Sequence, residues 1–131
     1  MTSSLHFVVV DCRDPAALAR FWCAALGYAV HEEYEEGIRI APPGGGRPFL
    51  DFLSVPEPKA NKNRVHLDLR ATDTDQAGEV ARLLSLGARR VEVGQGPEVD
   101  RVVLADPEGN EFCVLADPED ATDLPGRPGA P

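Results

Sequence analysis

The chain has 131 residues with 13 Lys plus Arg against 22 Asp plus Glu, a formal charge of −9. That length fits one domain with its own core, and 43% apolar with 27% charged residues fits an ordinary globule rather than a disordered chain. The acidic balance argues against nucleic acid or an anionic membrane as partner, since both call for clustered Lys and Arg. No apolar run approaches the ~20 residues of a membrane span. The start, MTSSLHFVVV, has no basic segment and too short an apolar run for a signal peptide, so a cytoplasmic location is expected. Cys12, Cys23 and Cys113 are an odd count without a CxxC pair, which supports neither a disulfide framework nor a zinc ribbon.

Residues 5–12, LHFVVVDC, are β-branched and apolar and predict a strand. Asp14-Pro15 opens a helix: Asp caps the free N–H groups, and Pro suits the first helical position. Leu18, Phe21, Trp22 and Ala25 form its apolar stripe, and Gly27 ends it. Strands follow over 28–34, 38–41 and 49–55, with a turn at Glu35-Glu36-Gly37. Pro42-Pro43-Gly44-Gly45-Gly46 cannot continue a ladder and reads as a flexible lip. After a polar connection over 56–63, the order recurs. A strand over 65–71 puts Val65, Leu67 and Leu69 on one face and His66, Asp68 and Arg70 on the other. Asp73 with Gln76 resembles a capping box, Ala77, Val80, Ala81 and Leu84 form a stripe, and Gly87 ends the helix. Strands are expected over 90–93, 99–105 and 111–116, with a turn at 106–110.

Leu26-Gly27 and Leu86-Gly87 stand 60 residues apart, and Asp14 and Asp73 stand 59 apart. Each half reads β-α-β-β-β, an internal repeat. The expected fold is therefore α+β: one domain over 1–116, with modules at 5–55 and 64–116 joined by a linker at 56–63. Helices on one face of each mostly antiparallel sheet leave the other faces free to close on a cleft. Residues 117–131 carry four acids, four prolines and two glycines and are expected to form a flexible tail.

The segments DCRDPAALARFWCAALGY, VPEPKANKNRVHLDL, RLLSLGA and LADPEGNEFCVL resemble the glyoxalase-like members of the vicinal oxygen chelate superfamily, over about residues 5–116. That superfamily also holds extradiol dioxygenases and bleomycin-resistance and fosfomycin-resistance proteins. The resemblance implies two βαβββ modules curling into a cup, commonly as a homodimer. It also implies one divalent metal (Zn, Ni, Fe or Mn), held by one His or carboxylate from each of four cup strands. Such a metal is chelated by a substrate with two neighbouring oxygens, and a ligand carboxylate can double as a proton carrier.

Carried over residue by residue, the pattern is incomplete. His66 matches the His that opens the second module. His6 lies one residue out of register, and only a bulge would bring it in place of Phe7. Cys113 stands where Glu is usual, with Glu111 two residues earlier on the same face. Leu53 stands at the usual fourth position, with Asp51 on its face. A displaced set of His6, Asp51, His66 and Glu111 can be drawn, with Glu111 as the proton carrier. Against each stands a plainer reading: His66 bonded to Asp68, His6 at the surface, Asp51 and Glu111 as solvated charges. Cys113 reads as a thiolate ligand or nucleophile, or as a small buried hydrophobe. Lys62, Asn63 and Arg64 form a basic step that could receive an anionic substrate or pair with the chain's own acids.

The expected function is binding of a small molecule in the cup, with pocket residues His66, Asp68, Arg64, Asp51, Cys113 and Leu53 and the metal site degenerate or lost. One alternative is a metal-dependent lyase, isomerase or dioxygenase using the displaced set. A second is a dimeric regulatory or structural module without catalysis.

Overall fold

The computed structural model describes residues 1–91 and 101–116. The strands expected over 90–93 and 99–105 lie partly outside those residues, and the tail lies wholly outside. In chain order the elements are β1 (Phe7–Cys12), α1 (Pro15–Leu26), β2 (Ala29–Tyr34), β3 (Gly37–Ala41), β4 (Phe49–Ser54), β5 (Leu67–Leu69), α2 (Gln76–Leu86), β6 (Arg89–Arg90), β7 (Val102–Ala105) and β8 (Glu111–Val114).

The helix starts and stops are local chemistry. Asp14 accepts a hydrogen bond from the Ala17 N–H, Pro15 takes the first position, and Gly27 closes α1 at φ 71°. Tyr28, expected to begin β2, instead donates its N–H to Cys23 O and completes the helix end. The second helix departs from expectation. Its cap is Asp75, which accepts from the Gly78 N–H at 2.8 Å, not Asp73. The expected stripe positions Ala77 and Ala81 are exposed, whereas Glu79, Val80 and Leu83 are buried. Burying the larger Val80 and Leu83 removes more apolar area from water than burying alanines. Glu79 is tolerated there because Arg82 neutralises it at 2.7 Å. The same guanidinium donates to the carbonyls of Ala24 and Ala25, so α2 caps the C-terminal end of α1.

Two four-stranded sheets result, in the orders β1-β4-β3-β2 and β5-β8-β7-β6. In each, the first strand pairs in parallel with the last, and the remaining pairs are antiparallel. These two matching sheets with two helices are the expected α+β fold. A bulge at His31 shifts the β2–β3 register, so that Glu32 comes opposite Arg39. Gly37 is required where β3 begins: a Cβ there would stand 2.3 Å from Phe52 O. The core joins the modules, because Phe21 and Trp22 of α1 pack on Phe112 of β8 at ring separations of 6.1 and 4.9 Å.

The strand expected over 65–71 is shorter than its alternation suggested. Val65 is 76% exposed, and the incoming chain is held by a side chain instead of a ladder: Asn63 N–H donates to Glu111 Oε1 at 2.7 Å.

Candidate functional site

Alternation fixes which side chains leave the helix-covered faces. On β4, Leu50 and Phe52 point into the core under α1, so Phe49, Asp51 and Leu53 occupy the open face. Register then adds Phe7, Val9 and Asp11 from β1 and Arg39 from β3. On the second sheet, Asp68 pairs with Cys113 and Cys113 with Val103, while Arg89, Ala105 and Glu111 form the neighbouring row.

A cleft of about 270 Å³ opens where the outer edge of β1 faces the chain around β5. Leu50, Phe52, Trp22 and Phe112 make an apolar floor. Arg64, His66, Asn110 and Glu111 stand among the polar groups of its wall. Trp22, expected on the apolar stripe of α1, is buried there and also lines this cleft.

The carboxylates of the displaced metal set already have partners. Asp51, 5% exposed, takes a two-pronged contact from Arg39: Nε to Oδ1 at 2.7 Å and Nη2 to Oδ2 at 3.0 Å. Arg39 also reaches Glu32 at 3.2 Å and lies 4.3 Å over the Phe7 ring. Glu111 accepts from Asn63 N–H and pairs with Lys59 Nζ at 2.7 Å. Burial alone would raise the Glu111 carboxyl, but the Lys59 ammonium and the Asn63 N–H outweigh it and hold it below its ordinary value. No bulge interrupts the β1–β4 register, so Phe7 and not His6 takes the open-face position. Leu53 is half-buried on that face.

A different trio meets. Among the described residues, His66, Asp68 and Cys113 are the one group of three or more His, Cys, Asp or Glu side chains gathered closely enough to share an ion. Their ligand atoms lie within 4.8 Å of one another. His66 Nδ1 is 3.1 Å from Asp68 Oδ1 and 3.9 Å from Cys113 Sγ. Burial and the Asp68 carboxylate push the Cys113 thiol up to about 11, against the opposing field of Arg101 and Lys62. Without a metal the sulfur is thus a neutral thiol, a poor nucleophile.

Two features of the site escaped the sequence. Arg39 was not singled out, although a tight β3–β4 pairing brings residue 39 opposite residue 51. Asp106, expected only to start a turn, is 1% exposed and accepts the Trp22 Nε1–H at 3.0 Å. No local signal links residues 84 apart in sequence.

A family model described as a glyoxalase-like domain matches residues 7–115. Among solved structures, the chain is similar to the oxidase ChaP-H2, with 24% identity over 90% of this chain and 96% of that one, at a TM-score of 0.62. It is similar to TnmS3, an antibiotic binding protein from Streptomyces sp. CB03234, with 21% identity over 90% and 98% of the two chains and a TM-score of 0.62. A glyoxalase/bleomycin resistance protein/dioxygenase family enzyme from Burkholderia phytofirmans PsJN aligns with 18% identity over 86% and 97%, at a TM-score of 0.65. At these identities the likenesses show the fold. No curated protein matches the sequence. Among the described residues, no helix is long and apolar enough to cross a membrane.

Proposed function

Because the chain belongs to the glyoxalase-like domain family, we propose that it binds a small molecule in the cleft between its modules, without the family's four-strand metal site. The observation that carries this reading is the commitment of both carboxylates of the displaced set, Asp51 to Arg39 and Glu111 to Lys59 and Asn63. A metal ion would have to displace a cation from each, so these residues do not fit the family's metal. The cleft favours a ligand instead, having an apolar floor and a few convergent polar groups. A neighbour of the same fold named as an antibiotic binding protein agrees with a binding role.

The test uses the chain's one tryptophan, Trp22, which lines the cleft. Titration with N-phenylnaphthylamine, an uncharged aromatic probe, is expected to quench Trp22 emission saturably and to raise the unfolding temperature. Val10 of β1 also lines the cleft, and Val10→Phe, which adds bulk there, is expected to weaken binding about tenfold, or ~1.4 kcal/mol. A folded protein that responds saturably neither to this probe nor to a panel of aromatic compounds sinks the reading.

One observation favours a second reading, a metal-dependent lyase, isomerase or dioxygenase. His66, Asp68 and Cys113 offer nitrogen, oxygen and sulfur donors from module two alone, a set that suits a borderline-soft ion such as Zn(II). Cobalt(II) titration separates the readings. A thiolate-to-cobalt absorption band that disappears in Cys113→Ser and His66→Ala supports the metal. A protein whose spectrum and melting temperature ignore Co(II) and Zn(II) rejects it. Null results in both experiments leave the dimeric module without a ligand, which size-exclusion chromatography with light scattering would then examine.

A further inference from the structure

The charge of the chain is negative, yet its second sheet gathers cations. Across β6, β7 and β8, Arg89, Ala105 and Glu111 stand in one row on the open face. Beside that row lies a groove of about 550 Å³ lined by Lys59, Lys62, Arg89, Glu108 and Glu111. Glu111 also lines the cleft, whose wall carries Arg64. Cleft and groove therefore share Glu111, with Arg64 on the cleft side and Lys62 and Arg89 on the groove side.

The acids of this groove are already engaged. Glu111 takes Lys59 and the Asn63 N–H. Glu108 accepts the N–H groups of Arg13 (2.8 Å) and Asp14 (2.6 Å) where α1 begins, a contact that ties the modules together. Lys62, Arg64 and Arg89 are exposed, and among the described residues none of them forms an ion pair with a carboxylate. The turn helps to hold the cations close: a Cβ on Gly109 would lie 3.7 Å from Arg89 Nη2 and 3.8 Å from Lys59 Cδ. The open face of module one shows the contrast, because its Arg39 is answered by both Asp51 and Glu32.

Among the described residues these three cations have no carboxylate bonded to them: Glu111 is held by Lys59 and the Asn63 N–H, and Glu108 by backbone N–H groups. An oxyanion offers acceptors to two guanidinium groups and an ammonium. We infer that the ligand of the cleft carries an anionic oxygen group, received by Arg64 on the cleft side of Glu111 and by Lys62 and Arg89 on its groove side, with its apolar body over Trp22 and Phe112. The inference rests on the cleft reading above and names the chemical class of its ligand. A clustered positive field in a protein of net charge −9 also draws such a ligand toward this face and away from the rest of the surface.

Two probes with one ring system test it: anilinonaphthalene sulfonate, which is anionic, and N-phenylnaphthylamine, which is not. The anionic probe is expected to bind about tenfold more tightly at low salt, with the difference shrinking as KCl is added. Lys62→Glu with Arg89→Glu is expected to remove that preference while leaving the uncharged probe's affinity unchanged, which also shows that the variant is folded. Lys62→Gln with Arg89→Gln is expected to fall between. Equal binding of the two probes, or a preference that survives the charge reversal, overturns the inference and leaves the cleft reading standing. Binding of neither probe overturns the inference, and the cleft reading falls with it once the aromatic panel also fails.

Discussion

Asp106 concentrates more polar contacts on one side chain than any position singled out from the sequence. Its two oxygens accept from Trp22 Nε1, Asn110 Nδ2 and the N–H groups of Glu108 and Asn110. Burial raises its pKa above the ordinary 3.8, and these donors pull it only part of the way back. The sign follows: a raised folded pKa gives stability that is present below 3.8 and lost as pH rises through the folded value. Asp106→Asn places an amide against donors and is expected to cost about 1–3 kcal/mol at neutral pH. Urea unfolding should show that deficit widening as pH is lowered, since only the wild type then gains. A narrowing deficit contradicts this account. At this scale alternation was legible, since it put His66, Asp68, Glu111 and Cys113 on one face. Which charge answers which was not, because Arg39–Asp51 and Lys59–Glu111 depend on strand register and on the course of a loop.

Elements follow the sequence where a local rule decides them. Helix α1 is written in Asp14, Pro15 and Gly27, and β1 in a run of β-branched residues. For helix α2 the spacing of Asp73 to Gln76 pointed to the wrong cap, because Asp75 accepts the Gly78 N–H instead. The helix's expected stripe held at Val80 and Leu84 but not at Ala77 and Ala81, because Leu83 and the Glu79–Arg82 pair complete the packed face. The two glycines that bound elements in module one make opposite demands. Gly27 sits at φ 71° with nothing within 4 Å of a new Cβ, so Gly27→Ala carries only the left-handed backbone strain, about 1 kcal/mol. Gly37→Ala drives a methyl against Phe52 O, a backbone atom that moves only with the β3–β4 ladder. Thermal melts are expected to rank Gly37→Ala as the clearly more damaging change. Equal losses would mean that the ladder gives way easily.

At the scale of the whole molecule, the repeat was legible because Gly27 and Gly87 end equivalent helices. The docking of one module on the other was not, since it runs through contacts 57 to 95 residues apart: Arg82 to Ala25, Trp22 to Asp106, and Glu108 to Arg13. That docking leaves β1 at the end of one sheet order and β5 at the end of the other, facing across the cleft. Among the described residues, the backbone of such an end strand is paired on one side only. His6 O and Cys12 O accept from Phe49 and Val55 of the β4 segment, so by alternation the peptide groups of Phe7, Val9 and Asp11 point the other way. Part of the cleft wall is thus main chain, with acceptors that every residue type supplies and donors that all but proline supply. An alanine scan leaves them in place and would pass over them in silence. Amide exchange would see them: Val9 and Asp11 are expected to exchange faster than Val8 and Val10 in the free protein and to slow once the cleft is filled. The cleft is therefore also an interrupted hydrogen-bonding ladder, and a ligand lying in it has the opportunity to act as the missing rung.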